Sequence, residues 1–343
     1  MKVQTVLGEI DSSNMGITLT HEHLLIDARK AWYEPLESTR IALAHEKVNI
    51  NILHELRQDP YMNFDNCFMF DEDIATSEVK QFQLLGGGTI VDATCLGIGR
   101  DPQALQRVSK RTGLHVLMGC GYYLESRHLP HVKDASIDDL AEEMMQDVLV
   151  GADGTNVRAG YIGEIGVSKD FTAQEEKVLR ASARAQAKTN VALSIHLPGW
   201  ERLAHRVLDV IAEEGGDISK TILDHMNPSF EDVNYQTSLA ERGAYLEYDM
   251  IGMDYYYANE GSQSPSDEDN AKAIKNLTDL GFADKLLLSQ DVFLKMMLTC
   301  YGGNGYAYIL RHFVPRLRRH GVTQEIIQTM LVDNPAKVFG VTK

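Results

Sequence analysis

The length, composition and charge of the chain limit what the protein could be. Its 343 residues, of which 44% are hydrophobic, are enough for one large domain with a substantial core. The 33 basic and 49 acidic residues leave a net charge of −16, which repels a phosphate backbone and anionic lipid headgroups, so we expect no nucleic acid and no membrane surface as partner.

Short runs rich in β-branched residues alternate with longer amphipathic stretches along the whole chain. The runs predict eight strands, at residues 17–23, 88–95, 115–121, 159–165, 191–197, 220–225, 244–250 and 285–291. The clearest helical pattern between them, 173–189, is preceded by Thr172 and Glu175 at capping-box spacing. This alternation is typical of strands and helices that build a parallel sheet.

Eight parallel strands with helical crossovers predict an α/β fold, a single (β/α)8 TIM barrel over residues 1–343 with a short N-terminal β extension. An open doubly wound sheet is the alternative, and it would hold its ligands at one switch point. Polar candidate residues at the ends of five strands favour the barrel. Residues 253–269, after the seventh strand, form a long irregular loop, and such loops are usually functional. Residues 27–80 form a second insertion, expected to be helical in part, between the first and second strands.

The cysteines and the N-terminus indicate the compartment. The four cysteines, Cys67, Cys95, Cys120 and Cys300, form no CxxC pair, which predicts reduced and buried thiols. The N-terminal residues MKVQTVLGEI lack the apolar core of a signal peptide. We therefore expect a cytoplasmic protein.

Polar residues at the strand ends form the candidate site. His21 and His23 stand two positions apart in a strand, so both imidazoles point to one face and can bind one ion. A lone HxH pattern fits two hydrogen-bonded core histidines equally well. The same position at the barrel mouth recurs in other strands, where it is occupied by Glu164, His196, His225 and Asp291. An unsatisfied buried polar group costs about 1–3 kcal/mol, so a shared metal site is the better interpretation.

Glu164 lies among Ile, Gly and Tyr in the segment AGYIGEIG. A carboxylate there is costly to bury unless charged partners meet it. A glutamate that caps a neighbouring strand is the alternative. With four histidines and an aspartate at the same mouth, a carboxylate that bridges two cations is favoured.

Taken together, these residues resemble the phosphotriesterase family of the amidohydrolase superfamily over essentially the whole chain. The matching segments are TLTHEH, AGYIGEIG, EEKVLRASARAQ, SIH, LDH, SQD and NPAKVFG. The resemblance implies a centre of two divalent metal ions, usually zinc, bridged by a hydroxide. His21, His23 and Asp291 would hold the buried ion, and His196 and His225 the exposed one.

The bridging ligand distinguishes branches of this family. Many members use a carboxylated lysine, whereas Glu164 occupies the place here, as it does in the branch resembling the phosphotriesterase homology proteins. Lys169, which lies past the strand end, is the fallback. The resemblance implies hydrolysis, with Asp291 taking a proton from the hydroxide and delivering it to the leaving group. It also allows a homodimer.

Two tyrosines in the segment GCGYY are candidates for substrate binding. Tyr123 matches the tyrosine that positions a carbonyl in the lactonase branch, and Tyr122 is next to it, although an aromatic that packs under a loop is the alternative. Pro228 stands where true organophosphate hydrolases carry an aspartate that assists proton removal. Met250, which we also expect to contact the substrate, stands where other branches carry a histidine or arginine. These departures disfavour phosphotriester hydrolysis as the native activity.

The loops after the seventh and eighth strands predict a largely neutral and aromatic mouth, with Tyr255 and Lys295 among its substrate contacts. A phosphorylated sugar lactone would require clustered basic residues, for which Lys295, Arg127 and Arg202 are the candidates. We therefore predict a hydrolase of small carboxylic esters or lactones. The alternatives are a phosphorylated sugar lactonase, a phosphotriesterase, and a metal-binding barrel without catalysis.

Overall fold

The eight β-rich runs of the sequence form the strands of a barrel. The computed structural model describes residues 1–342. The barrel strands are Ile17–Glu22, Gly87–Asp92, His115–Met118, Ile162–Gly166, Leu193–His196, Thr221–Leu223, Tyr245–Tyr248 and Leu286–Leu288. Most are shorter than predicted, because the chain leaves the regular ladder where it approaches the barrel mouth.

Parallel pairing joins the strands in chain order. The first three strands form one ladder and the last five form another. Backbone hydrogen bonds close the two seams: the Gly160 N–H donates to the Met118 carbonyl oxygen at 2.9 Å, and the Asp291 N–H donates to the His21 carbonyl oxygen at 3.2 Å. The predicted (β/α)8 barrel is confirmed, and the open doubly wound sheet is not formed.

A helix follows each barrel strand. These helices are Glu72–Leu84, Pro102–Thr112, Ile137–Leu149, Ala173–Thr189, Ala204–Glu213, Val233–Glu241, Asp267–Asp279, and a π-helical turn Ile309–Phe313 that continues as Val314–Arg319. The capping box predicted before the fourth helix is confirmed, since the Glu175 N–H donates to the Thr172 hydroxyl and the Thr172 N–H donates to the Glu175 carboxylate, both at 3.1 Å.

Shorter elements lie at the ends of the chain and in the two insertions. Lys2–Thr5 and Gly8–Asp11 pair antiparallel and form the predicted N-terminal β extension. The first insertion contains the paired strands Ile26–Asp27 and Phe68–Met69 and the helices Ser38–Ala44 and Leu53–Leu56, and the second contains the hairpin strands Tyr256–Tyr257 and Ser262–Gln263. The C-terminal helices Gln324–Gln328 and Asn334–Val338 are joined by a π-helical turn at Thr329–Asp333, and short 3-10 turns occur in several of the loops. The 253–269 loop, which appeared irregular in the sequence, therefore contains a short hairpin.

Apolar side chains from successive strands fill the barrel interior. Val91, Leu117, Ile222, Tyr245 and Leu287 belong to one buried cluster, so the barrel is a packed core that opens only at its mouth. All four cysteines are free, and Cys300 is exposed. The prediction of buried thiols is therefore wrong for Cys300, which lies in the loop after the eighth strand. Among residues 1–342, no helix is both long enough and apolar enough to span a membrane.

Candidate metal centre

The six candidate residues converge at the carboxyl-terminal ends of five barrel strands. Their nitrogen and oxygen atoms form overlapping groups in which all members lie within 4.8 Å of one another. The groups are His21, His225 and Asp291; His21, His23 and Glu164; and Glu164, His196 and His225. His196 is partly exposed and the other five are buried. One buried cluster therefore contains every residue that the sequence placed at the barrel mouth.

The deeper half of the cluster surrounds a position that could hold one cation. His23 Nε2 lies 3.4 Å from Glu164 Oε1 and 3.4 Å from Asp291 Oδ1. His21 Nε2 lies 3.7 Å from Asp291 Oδ1. Donor atoms that each lie about 2.1 Å from one tetrahedral ion are roughly 3.4 Å apart. The observed separations fit that arrangement.

The outer half of the cluster surrounds a second position. His196 Nδ1 lies 3.1 Å from Glu164 Oε2 and 2.7 Å from His225 Nε2. Glu164 thus presents Oε1 to His23 and Oε2 to His196, and Oε2 also lies 3.6 Å from His21 Nε2, so its carboxylate could contact an ion at either position. Lys169, the fallback, is exposed at the rim of the cavity above the cluster.

Two features of this cluster test whether a metal fits. His21 Nε2 and Asp291 Oδ1 are buried and have no hydrogen-bond partner, and both point at neighbouring donor atoms. Burial favours a raised pKa for the Glu164 carboxyl, but hydrogen bonds from His196 and charge interactions with His21 hold that pKa well below its usual value. Asp291 is likewise buried, and its contact with His23 lowers its pKa. Two ionised carboxylates among imidazoles form a donor set suited to divalent ions.

The second ring nitrogen of each histidine has a partner of its own. The pairs are His21 Nδ1 with Asp224 Oδ2 at 3.5 Å, His23 Nδ1 with Thr94 Oγ1 at 2.8 Å, His196 Nε2 with the Tyr123 hydroxyl at 3.2 Å, and His225 Nδ1 with Asp249 Oδ1 at 3.0 Å. Such partners fix the ring orientation and the position of the proton, and they are usual around metal-binding histidines.

Sequence reasoning missed three of these partners, Thr94, Asp224 and Asp249. A signal was present for two of them, because Asp224 directly precedes His225 and Asp249 ends the seventh strand at the same mouth. An acidic residue at a strand end that is not itself a ligand is a candidate for orienting a histidine.

The backbone at two of the candidate ligands is strained and held in place by carboxylates. His225 and Asp291 have φ angles of 57° and 48°, in the left-handed region that residues other than glycine rarely occupy. Asp249 accepts the His225 N–H at 2.9 Å. Glu22 accepts the N–H groups of Gln290 and Val292, on either side of Asp291, both at 2.9 Å.

A cavity of about 570 Å³ opens above the cluster. Its walls include the aromatic side chains of Tyr61, Tyr123, Trp200, Tyr257 and Phe293, and its charged residues outside the cluster are Arg127, Lys169, Glu201 and Glu260. The loops after the seventh and eighth strands, for which the sequence predicts a largely neutral mouth, contribute one of these charges, Glu260, and the other three follow the third, fourth and fifth strands. The charges come from loops whose course over the barrel depends on tertiary packing.

Two of the five predicted substrate contacts line this cavity. Tyr123 places its ring 4.6 Å from that of His196, edge to face, and Met250 lines the cavity from the end of the seventh strand. These two residues are therefore available to a bound molecule.

The structure does not bring the other three predicted contacts to the cavity wall. Tyr122 is buried, and its hydroxyl donates to Glu143. Tyr255, in the seventh-strand loop, is buried. Lys295 forms an ion pair with Asp65 at 2.8 Å elsewhere on the surface. Each of these three side chains is buried or paired within the protein, so none of them is available to a substrate in the cavity.

Comparison with known proteins agrees with this geometry. The model of the family described as "Phosphotriesterase family" matches residues 1–339. An N-acetyltaurine hydrolase from Tetraodon nigroviridis is 38% identical over 338 residues, which cover 97% of this chain and 96% of the relative. The crystal structure of a resiniferatoxin-binding protein from Rhodobacter sphaeroides is 55% identical, with a TM-score of 0.98 and coverage of 98% of this chain and 94% of that chain.

A more distant structure extends the comparison. The phosphotriesterase homology protein from Escherichia coli, complexed with phosphate in its active site, is 27% identical, with a TM-score of 0.78 and coverage of 95% of this chain and 99% of that chain. The fold, the buried donor cluster and the similarity over nearly the full length lead to one assignment. The chain belongs to the phosphotriesterase family.

Proposed function

We propose that this member of the family is a metal-dependent amidase that removes a short acyl group from a small amine. The observation that carries the proposal is that Glu164, on the floor of a cavity, places Oε1 against His23 and Oε2 against His196. The choice of an amide bond is supported by the 38% identity to an N-acetyltaurine hydrolase over 97% of the chain.

The six clustered residues would hold two divalent ions. We assign His21, His23 and Asp291 to the deeper ion, His196 and His225 to the outer one, and Glu164 to both. When bound, such a pair supplies Lewis-acid activation of a carbonyl oxygen and of a water nucleophile. Zinc fits these nitrogen and oxygen donors. The identity of the bound metal stays a prediction.

Tyr123 is placed to orient the scissile carbonyl. If His196 uses Nδ1 as its donor to an ion, the ring proton must reside on Nε2. The Tyr123 oxygen, 3.2 Å away, then accepts that proton in a hydrogen bond. Burial raises the pKa of Tyr123 well above its usual value, so its own O–H remains intact and can donate to a substrate oxygen in the cavity.

Asp291 is placed to move the proton that amide hydrolysis requires. The oxygen of water adds to the carbonyl carbon, the C–N bond breaks, and the amine nitrogen must gain a proton before it leaves. The Asp291 carboxylate lines the cavity and is ionised at neutral pH, since contact with His23 lowers its pKa despite burial. It can accept the water proton and transfer it to the amine nitrogen.

Ester or lactone hydrolysis, which the sequence predicts, is the second candidate. The same residues would act on the same carbonyl group, and the leaving alkoxide needs less assistance than an amine. The aromatic wall favours a substrate with an apolar part, because the ring of Tyr257 lies 5.8 Å from that of Tyr61 and 6.2 Å from that of Trp200.

A substrate panel separates these activities. Zinc-loaded protein is assayed with N-acetyltaurine, an aryl acetate, an unsubstituted lactone, a phosphorylated lactone and a phosphotriester. We expect N-acetyltaurine to be cleaved to taurine and acetate with kcat/KM of about 10⁴ M⁻¹ s⁻¹ or more, within the ordinary range for enzymes. Cleavage of only an ester or a lactone would refute the amide assignment. Binding of metal with no turnover of any substrate would support a metal-binding barrel without catalysis.

A further inference from the structure

Arg127 is a buried charge without a protein partner. It lies at the end of a 3-10 turn, Glu125–Arg127, after the third barrel strand. The residue is 8% exposed, and its Nη1 atom is buried with no hydrogen-bond partner. Within residues 1–342, no carboxylate reaches its guanidinium closely enough to form an ion pair. A buried cation in this condition is unusual, because unpaired charges are expensive to remove from water.

A carboxylate that influences the charge of Arg127 is already paired with another arginine. Asp27 acts on the Arg127 charge, but its two oxygens accept a two-bond fork from Arg29, at 2.8 Å from Nε and 2.6 Å from Nη2. Burial lowers the pKa of Arg127 below its usual value, and an arginine remains protonated even so. The positive charge is therefore present and uncompensated.

Arg127 shares the cavity of the metal cluster. It lines the same cavity as Glu164, His196 and Asp291, and the phenols of Tyr61 and Tyr123 are close enough to affect its pKa. Its backbone is tightly packed: a Cβ atom at Gly97 would lie 2.1 Å from the Arg127 carbonyl oxygen. Only glycine permits this close approach, so the turn that presents the guanidinium is held in one place.

The other basic residues near the barrel mouth do not share this position. Arg202 is paired with Asp232 at 3.3 Å and lies outside the cavity wall, as does Lys295. Lys169 is exposed at the rim. The chain has a net charge of −16, which repels an anion at long range. An anion that binds in this cavity therefore needs a local positive charge.

We infer that Arg127 receives the anionic end of the substrate, a sulfonate or a carboxylate, while the acyl carbonyl lies at the metal cluster. The position of the acyl carbonyl at the metal cluster rests on the proposed function, whereas the position of the anionic group rests on Arg127 alone. The planar guanidinium fork suits the oxygens of either anion. Holding the anion away from the ions also keeps the carbonyl in the reactive orientation.

Ketone analogues that are not hydrolysed test this inference directly. In 4-oxopentane-1-sulfonate, 5-oxohexanoate and 2-hexanone, a methylene replaces the amide N–H of an acetylated amine, and the far end carries a sulfonate, a carboxylate or a neutral methyl group. Their dissociation constants for zinc-loaded protein are measured by calorimetry. We expect the wild type to bind one or both anions about 10- to 100-fold more tightly than 2-hexanone, the range for a hydrogen bond to a charged group. Comparison of the dissociation constants of the sulfonate and the carboxylate shows which anion is preferred.

Three variants complete the test. Arg127→Gln is expected to lose the preference for anions and to bind 2-hexanone as the wild type does, while Arg127→Lys keeps part of the preference. Arg202→Gln, a matched change outside the cavity, is expected to behave as the wild type. Equal binding of 2-hexanone and both anions by the wild type would overturn the inference, as would an unchanged anion preference in Arg127→Gln. Because no probe is hydrolysed, these results are independent of whether the protein cleaves amides.

Discussion

Replacing Glu164 by glutamine is expected to remove bound metal and to lower kcat/KM at least about 100-fold. The carboxylate places Oε1 against His23 and Oε2 against His196, and an amide would turn its NH₂ donor toward one of these rings. Removing one partner from a buried charge cluster costs on the order of 3–5 kcal/mol, and each 1.4 kcal/mol is a factor of ten in rate.

The Glu164→Gln variant is compared with two controls from the same cavity. Glu201→Gln makes the same chemical change at the rim, and Lys169→Gln removes the fallback bridge. Both are expected to keep their metal and most of their activity. Full metal content and activity in Glu164→Gln, together with their loss in Lys169→Gln, would transfer the bridging role to the lysine.

Removal of metal by a chelator is expected to abolish hydrolysis and to lower the melting temperature. Without ions, His21 Nε2 and Asp291 Oδ1 remain buried and unsatisfied, which destabilises the folded state. A ligand present at 1000 times its dissociation constant stabilises a protein by about 4 kcal/mol. For a domain of this size, the loss corresponds to a decrease in melting temperature of roughly 5 °C or more.

This prediction is checked by scanning calorimetry and by assay of the same samples before and after chelation. Addition of zinc to the chelated protein is expected to restore both the melting temperature and the turnover, which separates loss of metal from irreversible unfolding. Unchanged turnover in protein whose measured metal content has fallen close to zero would contradict a metal-dependent reaction.

The barrel and its donor cluster could be predicted because both depend on local periodicity. Successive side chains of a strand point to opposite faces of the sheet. His21 and His23 are two residues apart, so their side chains were expected on the same face. In a parallel barrel, the strands all end at the same rim. Polar residues at the ends of apolar runs, such as His196 and Asp291, were therefore expected to meet, and the structure places them together.

The cavity wall could not be predicted in the same way. Tyr61 and Trp200 approach the cluster from loops, and their positions depend on how those loops pack over the barrel. Tyr122 and Tyr123 are adjacent in the sequence, yet only Tyr123 lines the cavity. Arg127 was one of three basic candidates in the sequence. Its lack of a partner became visible only in the structure, since Asp27 binds Arg29 instead.

Metal content per chain tests the binuclear centre most directly. Protein produced with added zinc and then dialysed is analysed for metal by elemental analysis, with protein concentration measured independently. Two ions per chain are expected, because two of the groups of donor atoms have Glu164 in common. A reproducible value of zero in folded, active protein would contradict the centre, and a value of one would contradict the bridging role of Glu164.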